Sequence, residues 1–178
     1  MMILSLPLDL SIAAIIVAGS VAVGVSLGAV AGFVGGKLDE LILRITDIFY
    51  AFPGIILAMV FAAVFGRNMV SLVIAMLAIR WPTYVRLIRG QVLVEKEKVY
   101  VQALKAAGLG RVRILFRHIL PNTIYPILVQ ATLDLGGVIL TFSALMFLGF
   151  SPSPALPELG NLASDGAGHF FEAPWLIV

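Results

Sequence analysis

The sequence has no cysteine. That excludes a disulfide framework, a thiolate metal site and a cysteine nucleophile, and says nothing about compartment. Histidine is nearly missing too: His118 and His169 are the only two, too far apart in the topology read below to share a metal. No H-E-x-x-H and no P-loop occurs, so zinc hydrolysis and nucleotide binding have no motif to rest on. Charge is scarce, at 12% of residues, where soluble domains carry about 25%. The net charge of +2 is too small to point to nucleic acid. The opening MMILSLPL lacks a basic n-region, and no clear cleavage site follows, so it reads as the lead-in to a retained helix. What fills the chain is apolar: 61% hydrophobic residues and a mean hydropathy of +1.07. A soluble fold of 178 residues cannot hide that much apolar surface, so lipid is the expected solvent.

Four spans are expected: Leu10–Val34, Ile48–Gly66, Met69–Ile88 and Asn122–Leu148. In the first, Gly24, Gly28, Gly32 and Gly36 recur every four residues, a smooth groove for a neighbouring helix or for a substrate path. Gly35-Gly36-Lys37 makes a turn into an amphipathic stretch from Leu38 to Ile48, with Leu41, Ile42, Ile45, Ile48 and Phe49 on one face. Pro53-Gly54 marks a kink or a fresh start. The third span is interrupted by Arg80-Trp81-Pro82, where Pro82 is expected to kink the helix. Arg80 either snorkels to the headgroups or sits by a translocation path, where Asp134 of the fourth span could pair with it. The tail from Ser151 to Pro174 has loop composition, and Ala173 to Val178 look like the opening of another span.

Eight of the twelve basic residues fall between Arg86 and Arg117, which places that region in the cytoplasm. The N-terminus and the Ser151 tail then lie outside. Within the basic region, Glu95 to Lys98 alternate in sign and read as solvated. A short helix is expected from Val99, with Ala103, Leu104 and Ala107 as an apolar ridge and Gly108 as a left-handed cap. A second stretch, Val112 to Ile119, places Ile114, Leu115 and Ile119 on one side, and Pro121 stops it. Such a surface can bind anionic headgroups, or fit a small helix into a groove on a soluble partner.

The spacing adds a family. Gln102-Ala103-Leu104, three residues, Gly108, nine residues and His118-Ile119-Leu120-Pro121 resemble the EAA loop of ABC importer permeases. Other segments are similar to the dipeptide, oligopeptide and nickel branch in the same order. They are Ala31–Gly36, Asp47–Pro53, Trp81-Pro82 with Arg86 and Arg89-Gly90-Gln91, Arg117–Asn122, and Gly160-Asn161 with Ser164-Asp165-Gly166. Four positions depart from the family pattern. Gln102 replaces a Glu, Leu104 an Ala and His118 an Ile, and Asp134 stands where a small residue is expected. Gln hydrogen-bonds but carries no charge, so a salt-bridge role does not transfer to Gln102.

The resemblance implies an all-α polytopic bundle over residues 1–178, with a coupling loop at 95–121 and its docking helix near Val99 to Gly108. The loop residues it singles out are Tyr100, Gln102, Ala103, Leu104, Lys105, Ala107, Gly108, Leu109, Arg117, His118 and Pro121. It implies a permease subunit in a prokaryotic inner membrane that moves di- or oligopeptides by alternating access, or nickel or oligosaccharides in the same branch. Its implied partners are two cytoplasmic ATPase subunits, a second and usually unlike permease, and an extracytoplasmic binding protein. ATP and magnesium would sit on the ATPases, and this chain would bind no cofactor and catalyse nothing. Since such permeases carry a further helix at either end, the chain is expected to be incomplete at both ends. A non-transporting membrane scaffold is the alternative from another class.

Overall fold

The computed structural model describes residues 2–153 and 156–169. Among these the regular structure is entirely helical. In order the helices are α1 (Met2–Val34), α2 (Gly36–Tyr50), α3 (Gly54–Phe65), α4 (Met69–Glu95), α5 (Val99–Ala106) and α6 (Arg111–Ile114). A π-turn (Leu115–Ile119), α7 (Leu120–Asn122), α8 (Ile124–Leu145), a second π-turn (Met146–Phe150) and α9 (Leu159–Gly168) complete them. Among the described residues three runs are long and apolar enough to cross a membrane: Ser5–Val34, Met69–Glu95 and Ile124–Phe150. The chain is a multi-pass membrane protein.

The expected second crossing is the one that changes. At 12 residues, α3 rises only about 18 Å, short of a hydrocarbon core of roughly 30 Å. It qualifies as a span only together with α2, across the break at 51–53. Other boundaries move as well. The first helix begins at Met2 and takes in Pro7, which has no N–H to donate to the preceding turn. The third runs on to Glu95 through Pro82 instead of stopping at Ile88, so Arg86 and Arg89 stand on the helix itself. The tail is not all loop, because α9 forms over the Gly-Asn and Ser-Asp-Gly residues. The apolar end at Ala173–Val178 lies outside the described residues.

Contacts divide the chain into two compact units. One comprises residues 1–17, 53–79 and 133–178, the other residues 18–52 and 80–132.

In the first unit the buried N-terminus of α9 is held by carboxylates. Glu158, 1% exposed, caps it by accepting from the N–H groups of Gly160 (2.9 Å) and Asn161 (3.1 Å). Its other oxygen accepts from the Ser143 hydroxyl at 2.8 Å, so the helix start that composition hides is satisfied from within. Asp9 of α1 accepts from the Leu159 N–H at 3.3 Å. A methyl group on Gly160 would fall 2.1 Å from the Ser143 carbonyl oxygen, so α9 lies directly on the α8 backbone.

The second unit is built on a close approach of α1 to α4. A Cβ on Gly24 would come 2.4 Å from the Tyr84 Cβ, on Gly28 2.4 Å from the Val85 carbonyl oxygen, and on Gly32 2.9 Å from the Arg89 carbonyl oxygen. Without hydrophobic driving force between helices in lipid, such backbone-to-backbone packing is a principal source of association. Gly36 departs from the row. It has φ +63 and nothing within 4 Å, so it serves the turn into α2 instead. The core around this seam takes in Tyr84, Ile88, Val92, Val101, Ile114 and Ile119, each fully buried.

Candidate functional site

The polar segment between α4 and α8 is part of that second unit, not a loose loop on it. Val101 of α5 and Ile114, Leu115 and Ile119 from the following turns enter the same core as α1 and α4. The expected apolar side of the second stretch is therefore the buried one.

A single side chain ties the segment's parts together. The Tyr100 hydroxyl at the start of α5 donates to Glu95, the last residue of α4, at 2.8 Å. It lies 3.4 Å from the His118 carbonyl in the π-turn and accepts from the Asn122 amide at 3.3 Å. A phenol has one proton, so Glu95 at the shorter distance takes it. Asn122 also donates to the His118 carbonyl at 2.9 Å. Burial pushes the Tyr100 phenol up from its ordinary pKa. Lys98 binds the other oxygen of Glu95 at 2.7 Å, and that hydrogen-bonded partner holds the lysine above its usual range. Glu95 is thus 6% exposed and fully engaged, contrary to the solvated role its alternating neighbours suggest.

The turn at Gly108 explains how α5 ends. With φ at +79, Gly108 sits in the left-handed region. Its N–H bonds the Lys105 carbonyl at 3.0 Å, and the Leu109 N–H reaches back to the Leu104 carbonyl at 3.1 Å. This is a Schellman cap, and the two residues joined by its outer bond, Leu104 and Leu109, both pack on the core. The expected docking ridge is corrected accordingly: Leu104 turns inward, while Gln102, Ala103, Lys105, Ala106, Ala107 and Gly108 are exposed. The Gln102 amide donates to the Glu97 carbonyl at 3.3 Å. On the exposed face of α5, Ala103, Ala106, Ala107 and Gly108 form a shoulder of small residues between the longer Gln102 and Lys105, shallow enough for another surface to approach its backbone.

Pro121 does not stop the chain. It has no N–H for the Arg117 carbonyl, and the π-turn over Leu115–Ile119 precedes it, after which α7 and Thr123 lead directly into α8. Arg117 and Pro121 are exposed, and His118 is half-buried.

Two ion pairs escape sequence reasoning. Arg89 of α4 donates to both Asp39 oxygens of α2, at 2.5 and 2.7 Å, with side chains 26% and 14% exposed. Arg86 pairs with Asp47 and lies 4.3 Å over the Tyr50 ring. The acids stand eight residues apart and the arginines three, so no shared helical period announces them; only the long Arg side chains close both pairs. Arg80, half-buried, belongs to the second unit, and Asp134, 7% exposed, to the first.

No group of three or more His, Cys, Asp or Glu side chains gathers as a metal site among the described residues. Gly24-Val25-Ser26-Leu27-Gly28 has the letters of a nucleophile elbow. It lies inside α1, not on the strand-to-helix turn that chemistry requires, and the Ser26 hydroxyl bonds the Ala22 carbonyl at 2.7 Å.

Comparison with known proteins places these features. Residues 24–173 match the family described as binding-protein-dependent transport system inner membrane component. A dipeptide transport system permease protein of Alkalihalophilus pseudofirmus is 40% identical over 171 residues, 96% of this chain and 56% of that protein. An oligopeptide transport system permease protein of Haemophilus influenzae is 38% identical, over 89% of this chain and 51% of that protein. A glutathione transport system permease protein of Pectobacterium atrosepticum is 36% identical, over 88% and 52%. The chain spans about half the length of the curated relatives it matches.

Proposed function

Because the chain belongs to the binding-protein-dependent transport system inner membrane component family, we propose that it is a permease subunit of an ATP-driven importer of di- and oligopeptides. The relatives' own names, which specify dipeptide, oligopeptide and glutathione transport, support the substrate class. The single observation that carries the mechanism is the exposed small-residue shoulder of α5, ended by the Gly108 cap and backed by the core shared with α1 and α4.

In this reading the segment from Glu95 to Asn122 faces the cytoplasm and α5 docks in a groove on an ATPase subunit. Two ATPases hold ATP and magnesium and perform the hydrolysis; this chain supplies no catalytic group. A second permease completes the path, and an extracytoplasmic binding protein delivers the peptide. When ATP draws the ATPases together, α5 moves with them. Val101, Ile114 and Ile119 pack with Ile88 and Val92 in one core, so the displacement reaches α4 as a body. Interiors at packing density do not absorb such a shift locally.

The test is uptake by proteoliposomes holding this chain with its second permease and ATPases, supplied with the binding protein. Labelled dipeptide should accumulate only with ATP. Nickel or oligosaccharide uptake in place of peptide rejects the substrate class, and ATP-independent behaviour towards all three rejects the permease assignment.

A further inference from the structure

The second unit contains a cavity of about 790 Å³ that the transport reading does not use. Its apolar wall includes Phe33 at the end of α1, with Val112 and Phe116 from the segment after α5. Its cations are Lys96, Lys105 and Arg111. Lys96 is spoken for, since its ammonium donates to the Gly32 carbonyl at 2.9 Å and so satisfies the last turn of α1. Lys105 and Arg111 are exposed and form no ion pair among the described residues.

We propose that this cavity binds an anionic phospholipid, with the phosphate on Lys105 and Arg111 and an acyl chain against Phe33, Val112 and Phe116. Two observations choose that occupant. The spanning helix α1 ends at Val34, so a cavity walled by its last turn opens at headgroup depth. The lining also combines what a lipid needs, the cations Lys105 and Arg111 with the large apolar side chains of Phe33, Val112 and Phe116. Val112 is 72% exposed and Phe116 53%, which a water-filled cavity leaves without compensation. A soluble anion would use the two cations and ignore that wall.

Native mass spectrometry of the full chain, delipidated in detergent and titrated with phosphatidylglycerol or phosphatidylcholine, tests the assignment. Basic side chains near a membrane surface contribute enough each that the first phosphatidylglycerol should bind about tenfold more tightly than phosphatidylcholine. Lys105→Gln with Arg111→Gln should erase that preference. Lys37→Gln with Arg117→Gln, which removes the same charge away from the cavity, should keep it. All these side chains are exposed, and circular dichroism of each variant confirms an intact helical fold before titration. Phe116→Asp should weaken both lipids. Equal loss in the two charge-matched variants would mean a diffuse surface effect and would overturn the proposal. So would competition by glycerol phosphate as effective as that by the lipid, because the wall would then contribute nothing.

Discussion

Two amphipathic helices of the second unit, α2 and α5, use the same kind of sequence to opposite ends. The buried positions of α2 are Ile42 and Thr46, and it is tied to α4 through Asp39–Arg89 and Asp47–Arg86. Its bulkier apolar residues, Leu41, Ile45 and Ile48, are turned outward at 55%, 40% and 61% exposure. The expected apolar face of α2 is thus split: Ile42 is buried and Phe49 packs edge-on to Trp81 of α4, while Leu41, Ile45 and Ile48 face away from their own chain. In α5 Val101 and Leu104 turn inward, and apart from Val99 at its first position the side chains that face out are small or polar. A periodic apolar stripe identifies a helix surface but not the medium it meets. An outward face of Leu and Ile suits lipid or another apolar helix, whereas one of Ala and Gly lets a protein surface approach closely.

The largest expected effect lies in the seam on which both helices depend. Gly28→Leu would drive a side chain into the α4 backbone at Val85 and should cost about 3 kcal/mol, read as a fall in Tm and loss of monodispersity. Gly136→Leu, with nothing within 4 Å, should leave both unchanged. Next comes the α2 attachment. Arg89→Leu leaves the Asp39 carboxylate, 14% exposed, without its bidentate partner and should cost about 2 kcal/mol. Adding Asp39→Leu should recover much of the loss, and no recovery would deny that the pair holds α2.

For α5 the corresponding change is smaller. Tyr100→Phe removes the hydroxyl shared by Glu95 and Asn122, a loss of about 1 kcal/mol. A spin-label distance from α5 to α4 should broaden in that variant. The smallest effect is the pH dependence. The Tyr100 pKa is raised in the folded state, so its contribution is complete below the unfolded tyrosine value of about 10. It is lost as pH rises through the higher folded value. A stability profile in Tyr100→Phe should lack that alkaline decline.

The all-helical class and the existence of the long spans were legible in composition, because no soluble core accommodates such hydropathy. The Gly108 cap was legible as well, since a glycine after an alanine-rich turn has one common use. Legibility failed where long-range partners decide. Glu95 looked solvated because its neighbours are charged, yet Tyr100 and Lys98 bury it. The tail looked like loop because it is rich in Pro, Gly and Ser, yet Glu158 and Asp9 stabilise the start of α9 from within. Leu104 looked like part of the docking ridge because it is apolar, and for the same reason the core claims it.

The central claim is that the small outward face of α5 is the docking surface. The most direct measurement is co-purification of the ATPase with tryptophan variants on the two helices compared above. Ala103→Trp and Ala107→Trp occupy exposed positions, so they should leave the permease folded, keep its second permease subunit and lose the ATPase. Leu41→Trp on the outward face of α2 should retain all three. ATPase recovered at the wild-type level with Ala107→Trp, or lost instead with Leu41→Trp, would contradict the account.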